Sequence, residues 1–349
     1  MTADRGAPRQ PPARATIFDV AAAAGVDAST VSRVLRGEVS QRVRAETRER
    51  IVEAARRLDY RPNVIARSLR SAKTFSLGIV VPQLDNPVFA MAIEGAEQGA
   101  RERGYSLLIS RLEPGDPEAG LYERLSQLNR VDGLLVATLD EDRLLLDSLA
   151  RARVPFVVLN RRVPDIANCV ALDSRTAARL AIDHLAGLGH RRIGHLAGRL
   201  DGFNGRERLA GYREGLVAHG IAWDPDLVVA AGYTAPGGAT AMAALLDRSP
   251  EPPTAVFAAT LVSATGELSV LHARGIPVPG RVSVIALHDS LIAEMLHPPL
   301  TTVGLPAVAM GRQGALGLID LIEGVRTEVG AVLPPDGLVR RASTAPPAR

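Results

Sequence analysis

The sequence predicts an N-terminal all-α headpiece of helix-turn-helix type, followed by an α/β core built as two parallel-sheet lobes. Three observations carry this expectation. From Thr16 to Tyr60 apolar residues recur at helical spacing, with no alternating strand runs. Pro62 then breaks the pattern. After Lys73 apolar, β-rich runs alternate with amphipathic helical stretches over the rest of the chain, the rhythm of parallel sheets covered by helices.

Met1–Arg14 is polar and Pro-rich, so residues 1–14 are expected to be a disordered tail. In Thr16–Leu35, TIFDVAAAAGVDASTVSRVL, residues Ile17, Val20 and Ala21 form one apolar face of a first helix. Gly25 permits a tight turn, Val26 plugs the space beneath it, and Asp27 is a good N-cap for a second helix starting at Ala28. That helix turns Val31, Val34 and Leu35 inward and leaves Ala28, Ser29, Ser32 and Arg33 outward. A third helix, Glu46–Leu58, offers Ile51, Val52, Ala55 and Leu58 to close the core. Residues 15–62 thus form a three-helix unit whose second helix is free to enter a DNA major groove.

In the core the expected strands are Ser76–Pro82, Ser106–Ser110, Gly133–Thr138, Phe156–Asn160, Arg192–Ala197, Leu227–Ala231, Ala255–Ala258 and Val282–Leu287. They are apolar enough to be buried on both faces. Helices are expected at Val88–Arg103, Thr176–Leu188, Gly205–His219, Ala239–Asp247 and Ser263–Arg274. Residues 342–349 (ASTAPPAR) carry two prolines and are expected to be a second disordered tail, unable to form a coiled coil.

Charge separates the two regions. Residues 1–72 hold fourteen arginines against eight acidic residues, while the remainder is net acidic by three. All the excess positive charge of the chain, +3 overall, therefore sits in its first fifth, which points to a polyanionic partner there. The single cysteine, Cys169, excludes a disulfide framework and fits a reducing compartment. No apolar leader and no membrane-length run is present, so a cytoplasmic protein is expected.

VAAAAGVDASTVSRVL followed by TRERIVEAARRLDYRPNVIARSL resembles the lactose-repressor (LacI/GalR) family of bacterial transcription regulators. The likeness continues through SLGIVVPQLDNPVF, GHRRIGHLAG, RERLAGYREGL and HPPLTTV. It implies a periplasmic-binding-protein-like core over residues 73–341, with lobe 1 at about 73–172 plus 304–331 and lobe 2 at about 173–303 plus 332–341. It also implies a sequence-specific regulator, by family default a repressor. Such a regulator would be a homodimer on a palindromic double-stranded operator, controlled by a small-molecule effector such as a sugar, sugar phosphate or nucleoside.

By residue, the resemblance assigns base selection to Ala28 and Ser29 and a bidentate guanine contact to Arg33. Thr30 and Ser32 would hold phosphates, and Thr16 joins the same DNA-contacting set. Arg36 replaces the usual Asn. The connection Gly37–Ala45 is longer than usual and adds Arg42 and Arg44, with extra phosphate contacts expected. Residues 63–72 match the hinge helix, where Asn63, Ala66, Leu69 and Arg70 would meet the minor groove and Leu69 would wedge a base step. A leucine buried in a dimer core is the alternative for Leu69.

For the effector, the resemblance points to Phe89, Asn160, Arg161, Arg208, Tyr233, His288 and Asp289. Phe89 and Tyr233 would equally suit core aromatics, and Asn160 a strand end. In IALHDS, His288 stands where the family often has Asp, and Thr260-Leu261 replaces a frequent Asn-Asp pair. Both changes remove hydroxyl acceptors, so a plain hexose is less expected: His288 would serve an unusual or anionic effector, or the pocket has lost its ligand, with a carbohydrate or its phosphate the leading expectation. No P-loop, dinucleotide GxGxxG, HExxH or G-x-S-x-G elbow is present. No catalytic residue, metal ligand or cofactor is therefore expected, and His184, His190 and His195 read as structural. A transport-type binding protein would need export and would leave the headpiece unexplained.

Overall fold

The computed structural model describes residues 15–35, 43–60, 73–111, 130–137, 143–248 and 251–348, and by chain contacts it divides into a unit before Phe75 and one from Phe75 onward. In the first unit, α1 (Ile17–Ala24) starts from a capping box: Thr16 Oγ1 accepts from Asp19 N, and Asp19 accepts from Thr16 N at 2.7 Å. It stops at Gly25, whose φ of +67° is a left-handed turn that a side chain would strain. Helix α2 (Ala28–Leu35) and α3 (Ala45–Arg57) complete the unit.

The first unit's core is Val20, Ala21, Ala24, Val31, Val34, Ile51, Ala54 and Ala55, with Ile17, Val26, Ala28, Leu35 and Leu58 packed around it. Two side chains depart from expectation. Val52 is exposed and Ala54 takes the inward place, because the buried stripe of α3 runs through positions 51, 54, 55 and 58. Ala28 is half-buried against the core rather than outward.

The second unit holds two six-stranded sheets. The first, in order β11-β5-β4-β3-β1-β2, comprises β1 (Ser76–Val81), β2 (Ser106–Arg111), β3 (Gly133–Val136), β4 (Phe156–Leu159), β5 (Cys169–Leu172) and β11 (Gly330–Leu333), all parallel. Helices α4 (Pro87–Glu102), α5 (Arg143–Arg151) and α11 (Ala307–Ile322) belong to this lobe, and α4 packs directly on α11. The second sheet, in order β12-β10-β9-β8-β6-β7, comprises β6 (Ile193–Ala197), β7 (Val228–Ala230), β8 (Ala255–Ala258), β9 (Ser283–Leu287), β10 (Thr301–Gly304) and β12 (Gly337–Val339). Only β12 is antiparallel. Its helices are α6 (Ser174–Gly187), α7 (Phe203–Ala218), α8 (Ala235–Arg248), α9 (Leu261–Ala273) and the short α10 (Leu291–Met295). Strands β1, β3 to β6, β8, β9 and β10 are buried almost throughout.

The chain passes between the sheets three times, at Asp173, after Gly304 and between Leu333 and Gly337. The passages are tied by backbone bonds from Asp173 N to Leu333 O (2.9 Å) and from Asp336 N to Gly304 O (2.9 Å). The last passage falls two residues later than expected, since Leu333 still pairs with Leu172. Strand β2 is not buried on both faces: it is a sheet edge, and Leu108 and Ile109 are exposed. Residues 342–348 are not a disordered tail. Ser343 is fully buried, donating to Val284 O and accepting from Thr301 N (2.8 Å), and Ala345 O meets His190 Nε2 at 2.9 Å. Two prolines prevent helix but not this extended docking. The expected tail at 1–14 and hinge at 63–72 lie outside the described residues.

Candidate functional site

Two groups of residues invite a functional reading, one in each unit. On α2, Ser29 and Arg33 are exposed on the face opposite Val31 and Val34, while Thr30 and Ser32 are half-buried. Asp27 organises the start of this helix, accepting from Thr30 N (3.0 Å), Thr30 Oγ1 (2.9 Å) and the Ser29 hydroxyl. These donors hold its carboxyl far below the usual range. Arg33 lies back along the helix, its Nε and Nη2 each 3.4 Å from Ser29 oxygens. The Ser29 and Thr30 hydroxyls are thus engaged internally. Thr16 is exposed and serves as the cap of α1. Arg44 is exposed at the start of α3. Arg36, Arg42, Asn63, Ala66, Leu69 and Arg70 lie outside the described residues.

The second group lines a cleft between the two lobes of the core, a cavity of about 220 Å³. Six of the seven residues expected at an effector site are brought together there: Phe89, Asn160, Arg161, Arg208, Tyr233 and His288. The lining follows from topology. Gln83, Asn160, Arg199, Tyr233, Thr260 and His288 lie just past the carboxyl ends of β1, β4, β6, β7, β8 and β9. Side chains at strand ends converge where the sheets of an open α/β fold face a crevice. Asn86, Phe89, Asn204 and Arg208 reach in from the first two turns of α4 and α7.

Several of these positions are strained or tightly held. Asn160 and His288 have φ of +67° and +70°, uncommon for residues with a Cβ and a frequent mark of functional positions. Asn160 presents a buried Oδ1 with no hydrogen-bond partner among the described residues, while its carbonyl accepts from Asn204 Nδ2 at 2.9 Å, tying the lobes together. Gly198 is needed under Tyr233, because a Cβ there would stand 2.2 Å from the ring. Arg208 is 2% exposed; it donates to Ala259 O (2.9 Å), faces His288 Nε2 (3.1 Å) and lies 5.7 Å from the Tyr233 ring centroid. Burial and the Arg208 charge push the His288 imidazole well below its ordinary pKa, so it is neutral.

Asp289 is a correction. It does not line the cleft; neighbouring residues at a strand end face opposite ways, and its carboxylate turns to Thr302 Oγ1 (2.6 Å) and Arg341 (2.7 and 3.2 Å). Thr260 does line the cleft, but its hydroxyl caps α9 by accepting from Ser263 N (3.1 Å). Gln83, Asn86, Arg199 and Asn204 were not expected. Asn204 could have been found, since it lies one helical turn before Arg208 on the same face.

His184, His190 and His195 are structural. His195 stacks on Phe257 and Tyr212, and its burial lowers its pKa to about 4. His190 bonds Thr254, Ser283 and Ala345, and His184 bonds Thr344. Among the described residues no cluster suits a metal ion.

Comparison with known proteins gives these features a context. Residues 16–63 match the family of bacterial regulatory proteins, lacI family, and residues 182–344 match the periplasmic binding protein-like domain. The chain is 38% identical over 323 residues to the HTH-type transcriptional regulator CelR of Thermobifida fusca, covering 90% of this chain and 94% of CelR. It is 33% identical over 339 residues to the HTH-type transcriptional repressor CytR of Escherichia coli K12, covering 95% and 96%. Among solved structures, a CelR–cellobiose complex superposes with a TM-score of 0.73 at 36% identity, covering 95% of this chain and all of that one. The lac repressor dimer bound to operator and the anti-inducer ONPF gives 0.79 at 27% identity, covering 95% and 100%. These relatives are regulators, not enzymes. The chain belongs to the LacI family of bacterial transcription regulators.

Proposed function

We propose that this DNA-binding regulator is a repressor whose operator affinity is set by a small molecule held in the interlobe cleft. The observation that carries the reading is the cleft itself: six strand ends from two sheets converge around the buried Arg208, with an aromatic from each lobe in the lining. A ligand gripped from both sides favours one spacing of the lobes, and can shift a conformational balance only by its difference in affinity for the two states. Couplings of this kind are typically 1–3 kcal/mol. The bound cellobiose of the CelR relative supports a sugar or sugar derivative as the class of effector.

On this reading α2 enters the major groove, with Ala28, Ser29 and Arg33 at base edges and Thr16, Thr30 and Ser32 on phosphates. Arg36, Asn63, Ala66, Leu69 and Arg70 would add backbone and minor-groove contacts. Two chains would act together on a palindrome. The exposed apolar side chains Leu108 and Ile109 on the β2 edge, and Leu291, Ile292 and Met295 on α10, support self-association of the core. Among the described residues no helix is long and apolar enough to cross a membrane, which suits a protein working on DNA in the cytoplasm.

The test is to select an operator from a random duplex pool, then measure its affinity for the full-length protein with and without candidate sugars, sugar phosphates and nucleosides. Hits would be preselected by thermal shift, since a ligand of the folded state raises apparent stability. At least one hit should change operator affinity by roughly fivefold or more; unchanged affinity across all stabilising ligands would remove the allosteric reading.

A further inference from the structure

A fully buried glutamate stands close behind the cleft wall. Glu267 lies on α9 with no exposed surface, and neither carboxyl oxygen has a hydrogen-bond partner among the described residues. Backbone packs on backbone beside it: a Cβ at Gly266 would stand 1.8 Å from Ala235 O, and one at Gly238 2.1 Å from Ser263 O.

The elements packed most closely on α9 are α8, β8 and β9. Strands β8 and β9 carry no charged residue. Helix α8 carries Asp247 and Arg248 at its far end, where Asp247 is held by Arg274 at 3.0 Å, about two turns from Glu267. His272 is exposed on α9 itself. At the head of α9, Arg208 donates to Ala259 O (2.9 Å) and faces the neutral His288, and Tyr233, ahead of α8, is turned to Gly198 and Arg208. None of these offsets a charge on Glu267. Burial pushes its carboxyl well above the usual carboxylate range, and only the Ser263 hydroxyl acts to lower it.

Ser263, one helical turn before Glu267, connects this acid to the cleft. Its hydroxyl donates to Thr260 O (3.0 Å) and accepts from Thr260 N (3.3 Å), while Thr260 Oγ1 accepts from Ser263 N (3.1 Å). Thr260 lines the cleft. A serine hydroxyl has one proton to give. While Glu267 is neutral that proton stays on Thr260 O, as in the structure. A buried carboxylate would take it, because a buried charge without donors is costly. We propose that Glu267 and Ser263 form a pH-sensitive switch: when Glu267 gives its proton to solvent base, the Ser263 hydroxyl turns from Thr260 O to the carboxylate and loosens the head of α9 at the cleft. The switch needs no particular effector. A carboxyl whose folded pKa is raised stabilises fully below its unfolded value, and that stability is lost as pH rises through the folded value. The switch therefore acts on the alkaline side.

The experiment follows the Thr260 amide of full-length, deuterated protein carrying 15N-threonine from about pH 5.5 to about pH 9.5, a span that covers buried glutamates titrating near 8–9. Its signal is identified by its loss in Thr260→Ser, which keeps the capping hydroxyl. It should move along a titration curve in the parent and stay fixed in Glu267→Gln, whose amide cannot ionise; His272 is common to both. The parent's core thermal midpoint should fall relative to that of Glu267→Gln by roughly 2–4 °C for each pH unit above the folded pKa. Ser263→Ala keeps Glu267 and the alkaline fall in midpoint, but its Thr260 amide should no longer follow pH. An unmoving Thr260 amide in the parent, the same titration in Glu267→Gln, or an unchanged Thr260 titration in Ser263→Ala overturns the switch. Should circular dichroism show that Glu267→Gln does not fold, the comparison of the parent with Ser263→Ala decides alone.

Discussion

The two regions solve recognition in opposite ways. In the headpiece, the residues proposed to meet DNA and those that hold the fold occupy different faces of the same short helix: Ser29 and Arg33 point out, while Val31 and Val34 point in. In the core they share the same atoms, because Arg208 and His288 are cleft-lining groups buried in the fold. An exposed recognition surface can therefore change without harm to its scaffold. The cleft cannot be altered without disturbing what holds two strand ends in place.

The largest expected effect tests whether the headpiece is energetically its own unit. Ile51 is fully buried in a core of mostly small side chains. Ile51→Ala should cost about 2–5 kcal/mol, a large share of the stability of so small a domain. DNA binding should disappear in a mobility-shift assay while the thermal midpoint of the core is unchanged. A shift in both would show that the division is false.

The next concerns the core alone. His195 stays neutral in the fold down to about pH 4 but takes a proton near 6.5 when unfolded. Its folded pKa is depressed, so the associated stability is full above pH 6.5 and lost as pH falls toward 4. The whole gap is worth about 3 kcal/mol. Urea unfolding of the core at pH 7.5 and pH 4.5 should show that loss, and His195→Phe should shrink it. It will not vanish, since burial also lowers His184, His190 and His288. An identical pH slope in His195→Phe would contradict the assignment.

A smaller effect sharpens the boundary between cleft and scaffold. Asp289→Ala should destabilise the core by roughly 1–2 kcal/mol through loss of its bonds to Arg341 and Thr302. Calorimetry should find cleft ligand affinity within twofold of the parent. A larger change would return Asp289 to the site.

What could be read from sequence follows the same division. The headpiece was legible because its signals are local: the turn at Gly25, the cap at Asp27 and the apolar spacing through Ile51 all act within a few residues. The core's central strands were legible as apolar runs. Strands β5 and β10 to β12 were not: β10 (TTVG) lacks a continuous apolar run, and β11 and β12 are edge strands of mixed exposure. The docking of residues 342–348 depends on partners about 40 to 155 positions away, such as Thr301 and His190. Six of the seven residues assigned to the cleft were placed there by likeness to the family, and Asp289 was misjudged because adjacency in sequence says nothing about the face a side chain takes. The positive φ at Asn160 and His288 leaves no mark in the sequence beyond the residue types themselves, which tolerate it better than most.

The most direct test of the account compares the full-length protein and its Arg33→Ala variant on a selected duplex and on a shuffled duplex of the same composition, at one fixed salt concentration. The parent should prefer the selected duplex by about a thousandfold or more. Arg33→Ala should give up roughly tenfold to a hundredfold of that preference, with the headpiece still folded by circular dichroism. Equal affinity of the parent for both duplexes, or a variant that discriminates as well as the parent, would contradict the claim that α2 reads the bases.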